Sequence, residues 1–130
     1  MHPNESITFL LCQFADVQKI EIVDGPKNQS VPIGSNATFS CTVKGVPRPT
    51  IYWIKDNASY PLQSNPRASV IQKGNGIRSL LLITGVQKED YGKYHCIANN
   101  SAGRKESGVV FLILGNLGEI YMINEYRYSL

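Results

Sequence analysis

Apolar and polar side chains alternate with a period of two along the middle of this chain. The clearest run is Ala37-Thr38-Phe39-Ser40-Cys41-Thr42-Val43, with apolar odd positions and Ser or Thr at the even ones. That period belongs to a half-buried strand. No stretch keeps helical periodicity over three turns with caps at its ends. Val17 to Val23 also alternates, and Gly25-Pro26, Pro32 and Gly34 then interrupt the pattern, as at a sheet edge. Gly45, Pro47 and Pro49 make a stiff turn before a strand from Thr50 to Lys55. Asn57 to Arg67 is polar and broken by proline, so it reads as loop or short edge strand. Ala68 to Gln72 and Ile77 to Thr84 read as strands around Gly74-Asn75-Gly76, which supplies the positive φ values of a tight hairpin. Lys88-Glu89-Asp90 is a turn, Tyr94 to Asn99 a strand, Asn100 to Gly103 a hairpin loop and Val109 to Leu114 the last strand. About seven short strands at this spacing predict an all-β sandwich or barrel.

A length of 130 residues allows one domain plus tails. Residues 18–115 hold the strands. Residues 1–17 are expected to be a leader or N-terminal extension, and 116–130 a tyrosine-rich C-terminal tail. Ile7 to Cys12 is a short apolar stretch with no Lys or Arg before it and no A-x-A cleavage pattern after it. A hydrophobic share of 42% with 18% charged residues argues against disorder. The net charge of +3 comes from scattered basic residues, the longest run being Arg104-Lys105. A dedicated nucleic-acid or membrane-surface patch is therefore not expected. No apolar run approaches the roughly 18 residues of a spanning helix, so direct membrane insertion of this chain is not expected either.

The cysteines are Cys12, Cys41 and Cys96, with no C-x-x-C spacing, and the histidines are His2 and His95. That set supports no zinc or thioredoxin-type site, and neither metal nor cofactor is expected. Two distant cysteines in a strand-like pattern read as one structural disulfide. If Cys41 joins Cys96, loop closure contributes roughly 4 kcal/mol in the chain-entropy treatment. Cys12 is left over, either unpaired or used between chains. Asn-x-Ser/Thr sequons occur at Asn4, Asn28, Asn36, Asn57 and Asn99, whereas chance placement gives about one. The excess suggests glycosylation in the secretory pathway and an extracellular or cell-surface location.

The constellation that identifies the fold is Cys41, Trp53 and Cys96. An indole on the strand after the first cysteine, beside an inter-sheet disulfide, fills the centre of a sandwich. Tyr94, two residues before Cys96, can return its hydroxyl to the turn backbone as a tyrosine corner. Ser79, Leu81, Ile83, Val86, Asp90, Gly92, Tyr94 and Cys96 stand at the spacing S-x-L-x-I-x-x-V-x-x-x-D-x-G-x-Y-x-C, followed by Ala98, Asn100 and Gly103. Upstream stand Gly45, Pro47, Pro49, Ile51, Trp53 and Lys55 at every second position. With these motifs the segment of about residues 18–115 resembles an intermediate-set (I-set) immunoglobulin domain. The resemblance implies two antiparallel sheets with Greek-key connections, and a core around Trp53, Tyr94, Leu81 and Ile83. It also implies an Arg67–Asp90 ion pair closing one end, and an F–G hairpin shaped by Asn100 and Gly103. The interval from Trp53 to Leu81 leaves no room for the extra strand of a variable domain.

Nothing catalytic is expected: Gly-x-Ser-x-Gly, His-Glu-x-x-His and a phosphate-cradling glycine loop are all absent from the sequence. His95 should face outward, next to inward Tyr94 and Cys96. If Trp53, Cys96 and Phe111 point inward, alternation sends Tyr52, Ile54, His95, Ile97, Val110, Leu112 and Leu114 outward. The expected interface is Tyr52, Ile54, Ile97, Val110 and Leu112. Three covers compete for it: a protein partner, homophilic or heterophilic, including a homodimer; the C-terminal tail; or ordinary apolar scatter. Leu80 and Leu82 are expected to face outward on the other sheet. The expected function is extracellular protein recognition in cell adhesion or receptor ligand binding. The alternatives are a structural spacer module of the muscle type, a secreted binder or decoy, and heparin binding through Lys44, Arg48, Lys55, Arg104 and Lys105.

Overall fold

The computed structural model describes residues 20–61 and 65–115. Within them lie β1 (Ile20–Asp24), β2 (Gln29–Val31), β3 (Ala37–Gly45), β4 (Thr50–Lys55), β5 (Ala58–Tyr60), β6 (Ala68–Lys73), β7 (Arg78–Ile83), β8 (Gly92–Asn100), β9 (Gly103–Glu106) and β10 (Val110–Leu114). A single 3-10 turn, Lys88–Asp90, precedes β8. One sheet runs β1-β3-β7-β6; the other runs β2-β10-β8-β4-β5, with β9 also on β8. All the pairings are antiparallel except that of β10 with β2. This is an immunoglobulin-type sandwich. The strands beyond the expected seven are β2, β5 and β9, of three or four residues each, too short to leave an alternation in the sequence. The expected leader and tail, with Asn4 and Cys12, lie outside the described residues.

The core is built from the inward positions of both sheets. β3 contributes Ala37, Phe39, Cys41 and Val43, and β7 contributes Leu81 and Ile83. β4 supplies Ile51 and Trp53, and β8 supplies Tyr94, Cys96 and Ala98. Trp53 and Cys96 are direct cross-strand partners, and Cys96 is bonded to Cys41 on the opposite sheet. Phe39 stacks on Tyr94 at 4.8 Å between ring centroids. The Trp53 indole N–H donates to the Ser79 hydroxyl at 3.0 Å, so a polar atom taken into the core finds its partner on the other sheet. The β6–β7 hairpin turns through Gly74, Asn75 and Gly76, with φ of 60°, 59° and 86°. Asn is a non-glycine residue that tolerates this left-handed region.

The last strand departs from expectation. Leu112 is 1% exposed and belongs to the core, and Val110 packs against it, whereas Phe111 points outward. Val109 to Leu114 is apolar at both parities, so alternation offers no choice between them. The register makes the choice. Along β8 the chain goes back three residues from Ile97 to Tyr94, while its partner advances four, from Glu106 to Val110. The extra residue between β9 and β10 is a bulge, and a one-residue slip exchanges the two faces. Ser107 holds the bulge: its N–H donates to the Cys96 carbonyl at 2.9 Å, and its hydroxyl accepts the Cys96 N–H at 3.0 Å.

Candidate recognition face

The outer face of the six-stranded sheet is assembled from alternate residues of three neighbouring strands. Tyr52 and Ile54 on β4 pair with Ile97 and His95 on β8. Phe111 on β10 pairs with Lys93 on β8, one strand further on. Tyr52 and Ile54 face outward and are half-buried. Val109, Phe111 and Ile113 form an exposed strip, the last two at 45% and 46%. Val110 and Leu112, expected at this surface, lie beneath it because of the bulge. Leu114 is half-buried on their side. Ile97 is also corrected: it has the outward parity but is only 2% exposed. It sits on a central strand between Tyr52 and Glu106, and these long side chains on both sides reduce its accessible area. His95 faces outward as expected, though its side chain is only 15% exposed, with Nε2 3.2 Å from Glu106 Oε1. Leu80 and Leu82 are half-buried on the outward positions of β7.

One end of the sandwich is closed by a polar cluster. The Arg67 guanidinium is paired with the buried Asp90 carboxylate, and a second arm donates at 3.3 Å. Asp90 also accepts the Gln87 N–H at 2.8 Å and the Asn65 amide at 3.1 Å. Burial pushes the Asp90 carboxyl up, but Arg67 and the Gln87 N–H pull it down further, leaving it below its ordinary value. The Tyr94 hydroxyl donates to the Asp90 carbonyl at 2.5 Å, and burial raises its pKa. The polar atoms of this cluster are engaged in holding the sandwich end together. Asn65 in this cluster, Ser79 beneath Trp53 and Ser107 in the bulge are hydrogen-bonding residues whose partners the strand pattern did not assign, since a small polar residue signals a strand position or a turn and no particular partner.

The sequon asparagines are also placed. Asn28 and Asn36 are exposed and accept backbone N–H groups through Oδ1, from Phe111 at 2.8 Å and from Gly85 at 3.0 Å. Asn57 is exposed in the β4–β5 turn. Asn99 is half-buried on β8, paired with Thr50 and Arg104. Three of the basic residues weighed for heparin are ion-paired: Lys44 with Glu21, Lys55 with Asp56 and Arg104 with Glu106.

A sandwich of this topology, with its disulfide, core indole and tyrosine corner, defines the immunoglobulin class. Residues 20–113 match the family model described as the immunoglobulin I-set domain, and the chain belongs to that family. It is 33% identical over 100 residues to a human protein named probable oxidoreductase PXDNL, covering 77% of this chain and 6% of that protein. The N-terminal Ig1-2 module of the Drosophila receptor protein tyrosine phosphatase DLAR is 31% identical, with a TM-score of 0.67. That likeness covers 74% of this chain and 48% of that one. The titin M3 domain is 27% identical with a TM-score of 0.66, covering 75% of this chain and 97% of that domain. The chain thus spans a small fraction of the named oxidoreductase, and the likeness carries none of its redox chemistry here. Fold and family together support the general role of an immunoglobulin module.

Proposed function

We propose that this chain is an extracellular protein-recognition module, in cell adhesion or receptor ligand binding, that acts through the outer face of the six-stranded sheet. One observation carries the reading: Tyr52 and Ile54 on β4 and Phe111 and Ile113 on β10 put apolar surface on one face, on the two strands that flank β8. Grouped apolar surface of this kind marks association sites on soluble domains. The residue set corrects the expected one, with Phe111 and Ile113 in place of Val110 and Leu112. The sequon excess and the Cys41–Cys96 bridge both support passage through an oxidising secretory compartment. The partner is a protein, a second copy or a different chain. The likeness to the Ig1-2 module of a receptor protein tyrosine phosphatase supports this reading. The likeness to titin M3 supports the second one, a structural spacer, which reduced cysteines and bare sequons in the natural source would favour.

The test is binding of the secreted chain, displayed as a multimer on beads, to itself and to a panel of cells. Tyr52→Asp combined with Ile54→Asp should lower binding about tenfold or more, with an unchanged unfolding profile. Equal binding by wild type and double variant would reject this face.

A further inference from the structure

The exposed strip on β10 lies beside a sequon. The parallel register sets Leu112 against Gln29 and Ile113 against Ser30. One step back, Asn28 stands beside Phe111, and its Oδ1 accepts the Phe111 N–H at 2.8 Å. Of the two terminal atoms of an amide only the oxygen accepts an N–H, so the amide orientation follows from this bond and Nδ2 is turned away from the Phe111 N–H. Nδ2 has no hydrogen-bond partner among the described residues. Asn28 and Ser30 are both exposed; Ser30 is in register with the outward Ile113, and the Oδ1 bond holds Asn28 beside Phe111. Asn28-Gln29-Ser30 meets the acceptor rule, with no proline in the middle.

We infer that Asn28 carries an N-linked glycan whose first sugars lie over Phe111 and Ile113. The step is a substitution at the anomeric carbon of a lipid-diphosphate-linked oligosaccharide. The Nδ2–C1 bond forms, the C1–O bond to the diphosphate breaks, and Nδ2 gives up one proton to base. Oδ1 is untouched, so the bond to Phe111 survives and holds the linkage beside the strip. The C–H faces of a pyranose ring suit an aromatic ring and an aliphatic side chain, and removing that apolar strip from water is favourable. The glycan closes the β10 flank of the recognition face and leaves the β4 side, with Tyr52 and Ile54, open to a partner. This inference rests on the secretory reading above.

The experiment is glycopeptide mapping of the full chain secreted from eukaryotic cells, followed by hydrophobic-interaction chromatography. Asn28 should be occupied in the wild type and in Ser30→Thr, and bare in Ser30→Ala, which keeps the Asn28 side chain. Ser30→Ala should be retained longer on the column, and adding Phe111→Ser should restore the shorter retention. A bare Asn28 beside occupied Asn36, Asn57 or Asn99 overturns this inference alone. If every sequon is bare, the secretory reading falls and takes this inference with it. An occupied Asn28 with equal retention of wild type and Ser30→Ala overturns the covering of the strip. Occupancy is read on the wild type, so it stands even if a variant does not fold.

Discussion

At the scale of single residues, stability rests on polar atoms that were taken inside only with their partners. Asp90 is the clearest case. The residue is 1% exposed, yet its carboxylate accepts from Arg67, Gln87 and Asn65. Asp90→Asn takes away the anion that Arg67 and the Gln87 N–H are arranged around, while Arg67 is partly exposed and also lies beside Glu89, so the change should cost about 1–3 kcal/mol, read by denaturant unfolding. The same residue sets an acid limit. Its folded pKa lies below the ordinary value of 3.8, so the native state binds fewer protons than the unfolded chain in that range. The contribution is complete above that ordinary value and is lost as the pH falls through the folded one. The melting temperature should therefore fall as the pH drops below about 4, and Asp90→Asn should show a shallower decline. Equal acid limbs in the two proteins would remove Asp90 from this role. The Arg67–Asp90 pair is legible in the sequence through the family motif. The Trp53–Ser79 bond is not, because it joins residues that only sheet packing brings together.

At the scale of elements, β10 shows where pattern reading reaches its end. β3 and β8 have small polar or mixed residues at alternate positions, and their inward faces could be read directly. Val109 to Leu114 has no polar position, and two registers differing by one residue satisfy its composition equally well. The bulge at Ser107 decides between them. Two substitutions one residue apart separate the registers. Leu112→Asp should cost at least about 3 kcal/mol or prevent folding, since it buries a charge in the core. Phe111→Asp should cost less than about 1 kcal/mol, as at an exposed position. Thermal unfolding of the two variants reads the difference, and the reverse order would restore the expected parity.

At the scale of the whole molecule, two sheets are pinned by one covalent link that spans 55 residues of sequence. In the chain-entropy treatment the link contributes about 4 kcal/mol by restricting the unfolded chain, a large share of the net stability of a small domain. Cys41→Ala should lose an amount of that order or fail to fold, and an unchanged melting temperature would contradict it.

Alternation along the chain was enough for the strands and left sandwich or barrel open. The resemblance to the I-set pattern, carried by motif residues of the sequence, selected the two-layer architecture, the Cys41–Cys96 bridge, the core indole and the corner tyrosine. Which apolar residues of the last strand reach solvent depended on a register between strands distant in sequence. So did the position of Asn28 beside Phe111. Hydrogen-bond pairing across the sheet selects one of two equally apolar faces, and that selection exists only once the strands have met.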